Sequence, residues 1–105
     1  MSDVKLLLNC TGFELDKNNS EKIWLKHQVS PTESEQVFFN LPLVVADTVT
    51  LSGKENRHYA LGRSYVDRKL FVVFTVRANH IRIISARDMS RKERRVYKSH
   101  EKENT

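Results

Sequence analysis

The chain has 105 residues, the size of one domain, and a second independent core would leave each half near the lower limit for folding alone. With 39% hydrophobic and 30% charged residues it can build one small core, which excludes a wholly disordered chain. The net charge of +5 is uneven: residues 1–52 carry four Lys, no Arg and seven acids, whereas residues 53–105 carry five Lys, nine Arg and six acids.

In chain order, the apolar run from Val4 to Leu8, broken by Lys5, is too short for a secretory signal or a membrane span. Val4 to Thr11 reads as a first strand or a loose end. The lone Cys10 has no disulfide partner within the chain, and no Cys/His framework suits zinc, so a reducing cytoplasm is the expected setting. Asp16 to Ser20 is a polar turn. Ser20 is placed to cap a helix over Glu21 to Gln28, with Ile23, Trp24 and His27 at helical spacing and Trp24 expected to pack with Ile23 and Phe38.

Ser30-Pro31-Thr32-Glu33 is a strong helix start, and this second helix should carry Val37 and Phe38 inward and stop before Asn40 and Pro42. The period then changes. Leu43 to Val49 favours a strand, and Gly53 marks a turn. Arg57 to Ser64 alternates, with Arg57, Tyr59, Leu61 and Arg63 on one face. Lys69 to Arg77 is nearly all apolar, as expected of a central strand covered on both faces. Ala78-Asn79 turns tightly into Ile81 to Arg87. Ser90-Arg91-Lys92-Glu93 opens a last helix containing Val96 and Tyr97. The pattern predicts an α+β domain over residues 1–98: an antiparallel sheet of four or five strands, two N-terminal helices and one C-terminal helix. A polar tail over 99–105 is expected to fray.

All nine Arg lie between Arg57 and Arg95, and such asymmetry suits a polyanion, nucleic acid being the commonest. A basic surface that is merely solvated is the other reading of the same charge. Gly12, Gly53 and Gly62 are isolated, so there is no phosphate-cradling loop, and neither a metal-binding His pair nor a nucleophile elbow is present. Arg57, Arg77 and Arg87 each stand at a strand end and are expected to converge at one sheet edge around a phosphodiester. The alternative for each is pairing with Asp67, Asp88 or Glu93. Lys26-His27 closes the first helix, where a His suits proton transfer at neutral pH or simply complements the helix dipole. Tyr97 is either a stacking or proton-donating residue or a core aromatic.

The order of motifs resembles the BrnT family of bacterial type II toxins. Phe13-Glu14-x-Asp16, Lys26-His27-x-Val29-Ser30 and Val37-Phe38 match its opening. Arg57, Leu61-Gly62-Arg63-Ser64, Arg68 and Val72-Val73-Phe74-Thr75-x-Arg77 follow. The most specific run is Arg82-Ile83-Ile84-Ser85-Ala86-Arg87, then Glu93-Arg94 and Tyr97. The chain departs from the family pattern at Leu15, Ile23, Gln28, Pro31 and Asn56; at Gln28 the family has Gly.

The resemblance implies a RelE-like fold and a ribonuclease that needs no metal or other cofactor, arrests translation and growth, and acts in the bacterial cytoplasm. It implies a BrnA-like ribbon-helix-helix antitoxin as partner, RNA as substrate, and contact with operator DNA only through the toxin–antitoxin complex, with no membrane involved. In this reading Arg57, Arg77 and Arg87 bind and stabilise the phosphate, Lys26 and His27 move protons or add charge, and Tyr97 supports them. Arg63, Arg68, Arg82 and Arg94 are the expected RNA contacts. The alternative is an attenuated family member that binds antitoxin and RNA without cutting.

Overall fold

A computed structural model describes residues 7, 10–47 and 57–103. The elements are β1 (Gly12–Glu14), α1 (Lys17–His27), α2 (Pro31–Gln36) followed by a 3₁₀ turn (Val37–Phe39), β2 (Val44–Asp47), β3 (His58–Arg63), β4 (Lys69–Arg77), β5 (His80–Asp88) and α3 (Arg91–Glu103). They form a five-stranded sheet in the order β1-β5-β4-β3-β2.

Strands β2 to β5 are the expected antiparallel meander. β1, however, runs parallel to β5, with Phe13 opposite Ile81, so the sheet is mixed. The chain between β1 and β5 is long enough to return in either direction, which a short hairpin turn is not. The strand expected over Val4 to Thr11 falls largely outside the described residues, as does the turn at Gly53. The last helix runs through Glu103 rather than yielding to a tail after Lys98.

Local chemistry explains most boundaries. Ala78 and Asn79 take positive φ angles of 51° and 62°, which closes β4 to β5 with a two-residue turn of the hand that sheet twist favours. Ser30 caps α2, its Oγ accepting the Glu33 amide at 3.1 Å. Ser90 and Glu93 make a reciprocal capping box at α3, with Glu93 N–H on Ser90 Oγ at 3.2 Å and Ser90 N–H on Glu93 Oε1 at 2.8 Å.

Helix α1 starts a turn earlier than expected: its cap is Asp16, which accepts from the Asn19 amide at 3.0 Å, and Ser20 lies inside the helix. Trp24 is 49% exposed rather than packed, because α1 buries one narrow stripe represented by Ile23, and the next residue is turned about 100° away.

The core lies between the helices and one face of the sheet, with Leu70, Val72 and Phe74 of β4, Ala60 of β3 and Ala86 of β5 fully buried against Val29 and Val37. Phe38 meets Phe74 edge-on at 5.1 Å and Phe13 at 5.7 Å. A Cβ on Gly62 would lie 2.9 Å from Val37 Cβ, so the 3₁₀ turn sits on β3 only because that residue has no side chain. β4 is central, but it alternates: its helix-side residues are buried while Phe71 and Val73 on the other face are half-buried. A bulge in β5 opposite Val73 and Phe74 breaks the alternation, and beside it Thr75 Oγ1 is buried without a partner among the described residues.

Candidate active site

The three strand-end arginines do not converge. Arg77 ends β4 opposite His80, and Arg87 lies opposite Phe71, six residues earlier on the same strand, which is about 20 Å away at ~3.3 Å per residue. Antiparallel neighbours put the C-terminal ends of β4 and β5 at opposite ends of the sheet. Arg57, just before β3, belongs at the Arg77 end, since the adjacent His58 pairs with Phe74.

The Arg87 end gathers more of the expected residues. β3 finishes there with Arg63 opposite Lys69, and β4 begins there with Leu70 opposite Asp88. The end of α1 reaches the same place, because the carbonyls of His27 and Gln28 accept hydrogen bonds from Arg68 at 3.0 and 2.8 Å.

Arg68, an expected RNA contact, is engaged within the fold. Nε and Nη2 hold both oxygens of Asp88 at 2.7 and 3.0 Å, and Nη1 also reaches Glu33 Oε1 at 3.0 Å. With the two carbonyls of α1, all five guanidinium N–H groups are used. Glu33 accepts in addition from the Ser64 hydroxyl at 3.0 Å, and Ser64 is buried. The cluster ties α1, α2, the β3–β4 loop and β5 together. The Arg68 hydrogen bonds hold the Asp88 carboxyl below the usual carboxylate range despite partial burial, and the charges of Arg94 and His27 push the same way.

Three other expected site residues also have structural partners. Arg82 pairs with Asp16 at 2.5 Å and so anchors the N-terminus of α1 to β5. Arg63 donates to the Leu41 carbonyl at 3.1 Å and lies 3.6 Å from Asp67. Tyr97 is buried, and its hydroxyl donates to the Pro42 carbonyl at 2.7 Å. Burial pushes that hydroxyl up to about 12, so Tyr97 is a core residue and not a ready proton donor. Arg94 is exposed and donates to the Met89 carbonyl at 3.5 Å, while Lys26 is exposed at the end of α1.

Arg87 is different. Its side chain is 36% exposed and lies on the sheet face away from the core. Its guanidinium carbon stands 4.2 Å from the centre of the Phe71 ring, and Nη1 and Nη2 each hold one oxygen of Glu93 at 2.9 Å. Burial raises the Glu93 carboxyl, but hydrogen bonds from Arg87 and the Ser90 amide outweigh it and leave it lowered; the same pairing raises Arg87. The arrangement presents a fixed, planar, permanently charged fork beside an aromatic ring, which suits a phosphate oxygen in place of the carboxylate.

Two members of this face, Tyr59 and Phe71, carry no mark as site residues in the sequence. The signal is the strand alternation combined with hairpin register: Tyr59 pairs with Val73, and Phe71 with Leu61 and Arg87, so all share one face.

No curated protein matches the chain. The family model described as the ribonuclease toxin, BrnT, of type II toxin-antitoxin systems matches residues 15–93. That span is most of the chain and includes α1, Arg68, Arg87 and Glu93. The chain therefore belongs to the BrnT family of ribonuclease toxins.

Proposed function

For a chain of this family, we propose that RNA is cut at the sheet end around Arg87, with the scissile phosphodiester taking the place of Glu93 on the guanidinium. The observation that carries the reading is the partly exposed Arg87 fork held 4.2 Å over the Phe71 ring, on the sheet face that the core does not use.

The RNA 2′-hydroxyl attacks the adjacent phosphorus, and the bond from phosphorus to the 5′ oxygen breaks. The products are a cyclic phosphate and a free 5′-hydroxyl, the attacking oxygen losing a proton and the leaving oxygen gaining one. Arg87 stabilises the charge that develops on the non-bridging oxygens, which needs no metal. His27, at the end of α1 and within the field of Asp88, is the candidate for proton transfer, with Lys26 adding charge. Arg57 and Arg77, at the other end of the sheet, serve RNA further along its path rather than the same phosphate.

The fold is RelE-like in this reading, and the cleaved RNA arrests translation in the bacterial cytoplasm. A BrnA-like ribbon-helix-helix antitoxin neutralises the toxin by covering the Arg87 end with an acidic or amphipathic segment, and brings the complex to operator DNA.

The test is induced expression of the chain without its antitoxin, beside Arg87→Ala, following growth and total RNA. Growth arrest with RNA loss is expected for the wild type. Arg87→Ala should lower cleavage about 100- to 1,000-fold, the effect of removing one donor to developing charge. Normal growth with intact, folded wild-type protein would favour the attenuated binding module instead.

A further inference from the structure

Tyr59, Phe71 and Arg87 stand on three adjacent strands and form one continuous stack. The Tyr59 and Phe71 rings are 5.1 Å apart and inclined at 41°, and Arg87 lies 4.2 Å from the Phe71 centroid. Tyr59 is 41% exposed, a large aromatic left facing water beside a cationic fork. Phe71 has one side taken by Arg87, so Tyr59 is the ring whose surface is offered outward.

We propose that this stack is a nucleobase platform, on which a base next to the cleaved phosphate lies against Tyr59 while Arg87 holds the phosphate. The proposal rests on the ribonuclease reading and adds a residue that determines how RNA is held. Three observations favour a nucleotide over other ligands. An aromatic face beside a guanidinium offers both halves of a nucleotide their natural partners, a stacking surface for the base and a bidentate fork for the phosphate. The elements are strands, whose side chains are held in fixed register, so base and phosphate sites keep a constant separation. Tyr59 is left exposed beside the fork, and a stacking surface of this kind accepts any base, because every base has a π face.

Tyr59 is thus a positioning residue. It makes no bond to the reacting atoms, and its contribution is to place the sugar and phosphate that follow the stacked base.

The test uses the full chain and two RNA hexamers, both 2′-O-methylated so that neither has an attacking hydroxyl. One has a mixed base sequence, and the other has the same backbone with every base removed. The wild type should bind the base-bearing hexamer about 10- to 100-fold more tightly than the abasic one, the range for one stacked base. Tyr59→Phe should keep that ratio. Tyr59→Leu, which preserves apolar packing on Phe71, and Tyr59→Ala should both bring it close to one while binding the abasic hexamer as the wild type does. Far-ultraviolet circular dichroism confirms that each variant is folded.

If Tyr59→Leu keeps the wild-type ratio, the platform is overturned, and cleavage of unmodified RNA by the wild type still supports the ribonuclease reading. If the folded wild type cuts no RNA yet shows the Tyr59-dependent ratio, the platform stands and the cleavage reading falls. Equal, weak binding of both hexamers by the wild type overturns the platform; failure to bind either overturns both.

Discussion

Arg87 and Asp88 are neighbours in sequence and opposites in structure. Asp88 turns toward the helices, where both its oxygens are held by Arg68, itself bonded to α1 and α2. Arg87 turns to the open face, where it holds the carboxylate that also caps α3 and Nη1 donates to the Asp88 carbonyl at 3.1 Å. Both arginines make bidentate pairs, yet Arg68 has no donor left and Arg87 keeps an exposed guanidinium against an aromatic ring. Two salt bridges of similar length therefore have different uses, decided by how many other groups depend on each. The helix-side pair ties four elements together, and the open-face pair is the one that the proposed function has a phosphate displace.

Arg68→Met breaks that contrast most strongly. It leaves the partly buried Glu33 with the Ser64 hydroxyl alone, and the exposed Asp88 and two helix-end carbonyls without their Arg68 donors, so it should destabilise the protein by about 2–4 kcal/mol in a denaturant titration. Arg87→Ala loses a part-buried pair and a ring contact but leaves Glu93 the Ser90 amide, and should cost only about 1 kcal/mol in the same titration. Equal losses would show that the two clusters do the same work.

Packing sharpens the comparison on the helix side. Gly62→Ala pushes a methyl group toward Val37 and should lower stability by about 1–3 kcal/mol, measured by thermal unfolding.

Acid titration gives the smallest effect. Asp88, Glu93 and Asp16 have folded pKa values below their unfolded ones, so the unfolded state binds more protons and stability rises with pH through that range. Their contribution is present in full above the ordinary carboxylate range and is lost as pH falls through about 4 and below. Arg68→Met should flatten the slope more than Arg87→Ala in unfolding curves from pH 6 to 3. Arg68 is the first cause of the lowering at Asp88, whereas Glu93 also has the Ser90 amide.

Short-range features were legible because a few adjacent residues suffice for them. Ser30 and Ser90 cap α2 and α3 as their four-residue patterns predict, and Ala78-Asn79 makes the tight turn. The start of α1 is ambiguous in the sequence because Asp16 and Ser20 are both capable caps, and the cap is Asp16, whose other oxygen meets Arg82 on a strand 66 residues away. Gln28 takes φ 56° where the family has Gly, a left-handed helix end that the motif marks and that no composition rule would. The failure of Arg57, Arg77 and Arg87 to meet was legible in principle. A meander sends alternate strands in opposite directions, so C-terminal residues of consecutive strands cannot share an end.

By itself, the sequence determined the element order, the capping of α2 and α3, the basic second half and the motif of the ribonuclease-toxin family, all of which depend on residues close together in the chain. Only the tertiary structure decided which arginines are tied into the helix side of the sheet and which stands on Phe71 across the open face. For Arg68 and Arg82 that depends on partners 20 to 66 residues away, brought into reach by strand register and helix docking, and an arginine looks the same in sequence whether all of its donors are used or not.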